Sequence, residues 1–225
     1  MPDNPPTLLQ IRDLTKSFPQ PGGGDLKVLD IAAFELAAGE ECVLIGESGG
    51  GKTTLLHLIA GMTLPTTGNI YVSGYDIARL SEAGRDRFRA ATIGYVFQTF
   101  NLLAGFSAIE NIRLGMAFSG GSIDHQRAEM LLQRVGLAER AAYYPSQLSV
   151  GQQQRVAIAR ALAGKPKLLL ADEPTANVDP GSSETVLRLI RETCSDENVG
   201  LLMVTHSMEV ANQFDRVERL EEMNQ

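Results

Sequence analysis

Tryptophan is absent, cysteine occurs twice and histidine three times in 225 residues. Cys42 and Cys194 lie far apart, and neither has a Cys or His close by, so the spacing offers neither a zinc cluster nor a disulfide framework. Such sparse usage suits a reducing cytosol. No apolar run approaches the ~20 residues that span a bilayer, so any membrane role needs spans from another chain. Met1–Thr7 is polar and proline-rich, without the basic and apolar regions of a signal peptide. Strong positive charge is missing as well. The net charge is −7, with acids and bases interleaved. A chain that coats duplex nucleic acid draws its affinity from phosphate neutralisation by Lys and Arg, so no nucleic-acid partner is expected.

Apolar residues make up 44% of the chain and are spread along it, as a continuous packed core requires. The length suits one large α/β domain, or a core with an inserted subdomain. Residues 8–18 alternate like an edge strand, 26–37 like a second amphipathic strand, and 41–45 read as a short buried one. A Gly-rich turn at 46–51 precedes a helix over about 53–60. Residues 67–75 resemble a hairpin arm, residues 76–90 a solvated helix with several arginines, and 93–97 a strand. From 107 to about 163 the pattern becomes helical, with Ser107 and either Ser122 or Asp124 placed as caps. Strand 167–171, a helix over 182–194, strand 200–204 and a helix after Ser207 complete the order. Strands alternating with helices imply a parallel sheet, and the helical block reads as an insertion.

Two motifs carry chemistry. Gly46-Glu47-Ser48-Gly49-Gly50-Gly51-Lys52-Thr53-Thr54 follows a strand and opens a helix, the context a phosphate loop needs. Glycines let backbone N–H groups turn toward phosphate oxygens, and the helix adds its positive end. Lys52 is then expected at the β- and γ-phosphates of a nucleotide, and the Thr53 hydroxyl on Mg²⁺. Leu168-Leu169-Leu170-Ala171-Asp172-Glu173 is an apolar strand ending in two acids. Asp172 is expected in the Mg²⁺ shell, and Glu173 as acceptor of a proton from the attacking water.

Leu148-Ser149-Val150-Gly151-Gln152 then resembles the signature motif of ATP-binding cassette (ABC) ATPases, and the likeness runs over nearly the whole chain. The resemblance implies a P-loop α/β fold with a mainly parallel core sheet, an antiparallel β subdomain and an inserted helical subdomain. One domain would span 1–225, its core from 1–98 and 164–225 and its helical part about 99–163. It also implies ATP and Mg²⁺ as cofactors. Gln98 resembles the glutamine that contacts Mg²⁺ and water, Asn177-Val178-Asp179 the D-loop, and His206 the switch histidine at the γ-phosphate. Phe18 falls where the family sets an aromatic ring against adenine, although an aromatic in an edge strand also suits plain packing. Ser149 and the helix start at Gly151 form an anion site that, by resemblance, closes over ATP held by a second copy in a head-to-tail homodimer. Val150 departs from the family's usual glycine, while Ser149 and Gly151 are kept.

Residues 94–112 (GYVFQTFNLLAGFSAIENI) resemble the branch that serves macrolide export, lipoprotein release and cyanobacterial glycolipid export. This implies an ATPase held at the cytoplasmic face of the membrane by a separate permease, moving a hydrophobic or lipid-like cargo. Leu102, Leu103 and Phe106 would be floor for a permease helix or part of the subdomain core. A regulatory, division-associated ATPase of the same branch is the alternative. A DNA-repair or translation ATPase would carry coiled-coil insertions, zinc modules or a second cassette, and none is seen. His57 and His125 have no ligand partner in the sequence and receive no role.

Overall fold

The computed structural model describes residues 6–224, so most of the Met1–Thr7 segment lies outside the described residues. The chain begins with β1 (Thr7–Pro19), β2 (Asp25–Ala37), β3 (Glu41–Ile45), α1 (Lys52–Ile59), β4 (Thr67–Val72) and β5 (Tyr75–Asp76). Then come α2 (Glu82–Thr92), β6 (Ile93–Val96), α3 (Ala108–Phe118), α4 (His125–Arg134), α5 (Val150–Ala163) and β7 (Leu168–Asp172). It ends with α6 (Pro180–Glu197), β8 (Gly200–Thr205), α7 (Met208–Ala211), β9 (Val217–Arg219) and α8 (Leu220–Met223). These elements gather into two compact units, one from the residues up to Arg89 and from Gly200 onward, the other from Ala90–Val199.

The first unit contains an antiparallel sheet in the order β2-β1-β4-β5. Here β1 differs from expectation. It is not an edge strand but lies between β2 and β4, with Ile11 facing Phe34 on one side and Ile70 on the other. Alternation reports which face of a strand is buried and is blind to whether both backbone edges are paired. The same unit pairs β3 in parallel with β8 and with β9. Every residue of β8 is buried, as are Cys42–Ile45 of β3, the near-continuous apolar pattern of strands covered on both faces. Burial pushes the Cys42 thiol up to about 12, so this cysteine packs and does not react.

In the second unit β6 pairs in parallel with β7, Tyr95 opposite Leu170. Its helices begin where oxygen-bearing caps fall. Ser107 and Glu110 close a capping box on α3, Asp124 accepts the Arg127 N–H at 2.9 Å on α4, and Ser149 and Asp179 cap α5 and α6. Of the two caps open for α4, Asp124 is used. The C-terminal end of α5 is held by a buried arginine. Arg127 donates from Nε to the Ala163 carbonyl (3.0 Å) and from Nη2 to that of Leu162 (2.8 Å). Both terminal nitrogens reach the Glu197 carboxylate, at 3.1 and 2.7 Å. One side chain thus satisfies two helix-end carbonyls and a carboxylate on α6.

Arg127→Ala removes the partner of the half-buried Glu197 carboxylate and of the Ala163 carbonyl, while Leu162 keeps the Lys165 N–H at 3.2 Å. A loss of about 3 kcal/mol is expected in urea unfolding. Arg134→Ala, which breaks the more exposed pair with Asp196 between the same helices, should cost less than about 1 kcal/mol. Equal losses would refute the account.

Candidate nucleotide site

The phosphate loop runs from the end of β3 to the start of α1 in the first unit. Its last glycine is set by sterics. Gly51 has φ +94°, and a Cβ there would lie 2.9 Å from Leu29 Cδ2 and 3.1 Å from Val28 Cγ1. Gly51 is also the N-cap of α1, whose first turn holds no acidic residue, so the positive end of the helix is left to an incoming anion. The Lys52 ammonium folds back into the loop, donating to the carbonyls of Gly46 (2.7 Å) and Glu47 (2.8 Å) with the side chain buried. Glu47, Ser48, Gly49 and Thr53 are exposed along the loop, Gly50 and Thr54 are half-buried, and Gly46 is buried.

Phe18, at the end of β1, is 40% exposed, with the Lys16 ammonium 4.7 Å from its ring centroid. His206 follows β8 directly and is exposed. The Ser207 N–H bonds the Thr205 hydroxyl (3.1 Å), and the Ser207 side chain caps α7, so the backbone on either side of His206 is fixed. One partner of the loop had no signal in the sequence. Glu221, 174 residues away, accepts the Glu47 N–H at 2.8 Å. That hydrogen bond, aided by the charge of Lys52, holds its carboxyl below the usual range.

In the second unit, β7 is buried throughout and delivers Asp172 at 5% exposure. Glu173 turns out of the strand with φ +44°, a left-handed conformation that costs a non-glycine residue roughly 1 kcal/mol. Strain of this kind persists where the surroundings enforce it and gathers at functional positions. Here Gln154, fully buried on α5, donates to the carbonyl of Pro174 at 2.7 Å and pins the turn. The Tyr95 phenol is kept protonated by burial, reinforced by the negative charge of Asp172.

The signature residues form the start of α5. Ser149 Oγ accepts the Gln152 N–H (3.3 Å) while the Gln152 side chain accepts the Ser149 N–H (3.0 Å). That exchange commits one lone pair of the Ser149 hydroxyl. Its proton can still be donated. Leu148 is buried and Val150 is 48% exposed, so the residue that departs from the family pattern points to solvent. A Cβ on Gly151 would lie 3.4 Å from Ser182 on α6. Asp179 caps α6, with Ser182 bonds holding its carboxyl below the ordinary range.

Gln98 lies two residues beyond β6 with its side chain exposed, and its carbonyl accepts from Asn177 Nδ2 at 2.9 Å. Arg160 on α5 donates to the carbonyls of Asn101 (2.6 Å) and Phe100 (2.9 Å). The unit therefore gathers the segment after Gln98, the 173–179 turn and the signature helix around α5. Gln154 and Arg160 were not singled out from the sequence, because a polar side chain on an amphipathic helix reads as solvated until its partners are known. Of the apolar trio, Leu102 is half-buried, while Leu103 and Phe106 are 44% and 41% exposed. These two are not subdomain core. Leu103 instead lines a cavity of about 310 Å³ with Tyr95, Phe97, Leu114 and Phe118.

The donors expected around a metal are a hydroxyl (Thr53), an amide (Gln98) and a carboxylate (Asp172). An all-oxygen set of this size suits Mg²⁺ that keeps water and phosphate as its remaining ligands. Among the described residues no group of three or more His, Cys, Asp or Glu could hold a metal by itself.

Residues 29–176 match the family described as ABC transporter. The chain is 42% identical over 217 residues to the lipoprotein-releasing system ATP-binding protein LolD 2 of Caulobacter vibrioides, covering 96% of this chain and 95% of that one. It is also 42% identical over 217 residues to the macrolide export ATP-binding/permease protein MacB of Syntrophobacter fumaroxidans, of which it spans 30%. Both belong to the branch that residues 94–112 resemble. Among solved structures, a dimeric post-hydrolysis state of the ATP-binding cassette MJ0796 bound to ADP and Pi superimposes with a TM-score of 0.86 at 32% identity, over 94% of each chain. The chain belongs to the ABC transporter family and is an ATPase subunit of it.

Proposed function

We propose that the chain binds Mg-ATP, dimerises head-to-tail around two such nucleotides and drives a separate membrane permease that exports or extracts a hydrophobic, lipid-like cargo. The observation that carries this reading is the Lys52 ammonium seated in the carbonyls of a glycine arch that opens α1. A triphosphate offers that ammonium stronger, charged acceptors than two carbonyls, so Lys52 exchanges Gly46 and Glu47 for β- and γ-phosphate oxygens. Gly49, Gly50, Gly51, Thr53 and Thr54 contribute N–H groups, and Phe18 stacks on the adenine.

Thr53, Gln98 and Asp172 would hold Mg²⁺, which supplies positive charge to the phosphates. Glu173 accepts a proton from water as the water oxygen bonds the γ-phosphorus. The bond from that phosphorus to its bridging oxygen breaks, and the electron pair leaves with ADP. His206 donates to the γ-phosphate as charge builds on its oxygens. Ser149, Gly151 and the N-terminal end of α5 act on ATP held by a second copy, with Leu148, Val150 and Gln152 shaping that surface. Asp179 keeps α6 in register beside them.

The exposed pair Leu103 and Phe106, beside the 310 Å³ cavity, supports an apolar partner segment there. A permease helix at the cytoplasmic face of the membrane is the occupant. No helix among the described residues is long and apolar enough to cross a membrane. The cargo class rests on the lipoprotein-releasing and macrolide-export relatives.

Glu173→Gln should bind ATP as the wild type does, slow turnover by at least about 10²-fold and accumulate as a dimer of twice the chain mass in light scattering. Captured from membranes with Mg-ATP, it should bring down a permease, and recovery of only soluble proteins would sink the transport reading. Ser149→Arg should leave ATP binding by the monomer intact and abolish both dimer and hydrolysis. Cooperative hydrolysis by that variant would refute the sandwich.

A further inference from the structure

The C-terminal turn borders the first end of the phosphate loop and the strand that crowds its last glycine. Pairing of β9 with β3 sets Arg219 opposite Ile45, the residue before the loop. Two residues later Glu221 arrives beside Gly46 and Glu47. Leu220, buried at 1% exposure, anchors the turn. Glu221 Oε1 accepts the Glu47 N–H at 2.8 Å, and a Cβ on Gly46 would lie 2.9 Å from that same oxygen. At the other end Asn224 accepts the Asp30 N–H and donates to the Val28 carbonyl (3.1 Å). Val28 and Leu29 are the residues that crowd Gly51. The turn therefore borders the first glycine directly and the last one through β2.

We propose that Glu221 is a positioning residue of the nucleotide site: by accepting the Glu47 N–H it holds the first arm of the phosphate loop in its nucleotide-ready shape. The proposal rests on the ATP-binding reading above and deepens it. Lys52 donates to the carbonyls of Gly46 and Glu47, the two residues that Glu221 borders, and it must release them when phosphate arrives. An arm tied from outside keeps its shape when that internal bond is given up. An untied arm has to be ordered again by the nucleotide, at the expense of affinity.

The test uses the full chain with Mg-ADP carrying a fluorescent ribose label, steady-state hydrolysis of ATP, and melting without nucleotide. Glu221→Ala should weaken binding about fivefold, the loss of one hydrogen bond at an exposed position. KM for ATP should rise in step while kcat at saturation stays within about twofold. Glu221→Gln keeps an oxygen that can accept the Glu47 N–H and should restore affinity to within about twofold. A merely structural brace would move the melting temperature and leave both Kd and the rescue unaffected. The proposal is overturned if Glu221→Ala binds like the wild type, if Glu221→Gln is as weak as Glu221→Ala, or if only kcat falls. Should Glu221→Ala not fold, Glu221→Asp, one methylene short of the bond, takes its place with the same expectation. A wild-type chain that binds no nucleotide would instead defeat the ATP reading itself.

Discussion

The short contacts of Lys52 with the carbonyls of Gly46 and Glu47 organise the phosphate-loop end of this protein. A buried ammonium needs acceptors on every side it presents, because an unpaired charge removed from water is costly. The lysine draws in the backbone oxygens of Gly46 and Glu47, and the loop curls around it. That curl requires a left-handed residue at Gly51 and a buried strand, β3, to launch the loop in a fixed direction. It also requires the first turn of α1 to be free of acidic side chains, as it is. The loop is thus arranged around a charge that a nucleotide can take over.

The Ala90–Val199 unit is organised differently, around one helix. Ser149 caps the start of α5, Gln154 pins the turn after Glu173, Arg160 holds the segment after Gln98, and Arg127 seals the last carbonyls. The first three of these bonds each reach a different piece of proposed machinery. A shift of α5 would be felt at the 173 turn and at the Phe100–Asn101 backbone together. Glu173 depends on this bracing most, since its left-handed φ would relax if the turn were loose.

Charge is distributed with equal economy. A chain of net charge −7 that takes an anionic nucleotide must concentrate positive potential locally. In the proposed site one ammonium and the dipole of α1 would do this, a short-range arrangement that leaves the net charge of the chain acidic. Asp172, by contrast, is buried beside the protonated Tyr95, where a cation brought by the nucleotide would be welcome.

Much of this was legible in the order of residues. The phosphate loop and the paired acids are short contiguous patterns whose expected chemistry follows from residues adjacent in the chain, while the signature and the switch histidine were read through resemblance to the family. Strands and helices declared themselves where periodicity was strong and a cap was present, as at Ser107, while the choice between Ser122 and Asp124 waited for the structure. The position of β1 was not legible, because alternation says nothing about the second edge of a strand. Nor were Arg127, Arg160, Gln154 and Glu221, whose meaning depends on partners 20 to 174 residues away. By itself the sequence determined which chemical groups this ATPase has and the local turns that present them. Only the tertiary structure decided which distant side chains hold those turns in place, because a hydrogen bond between remote residues exists only once packing has brought donor and acceptor together.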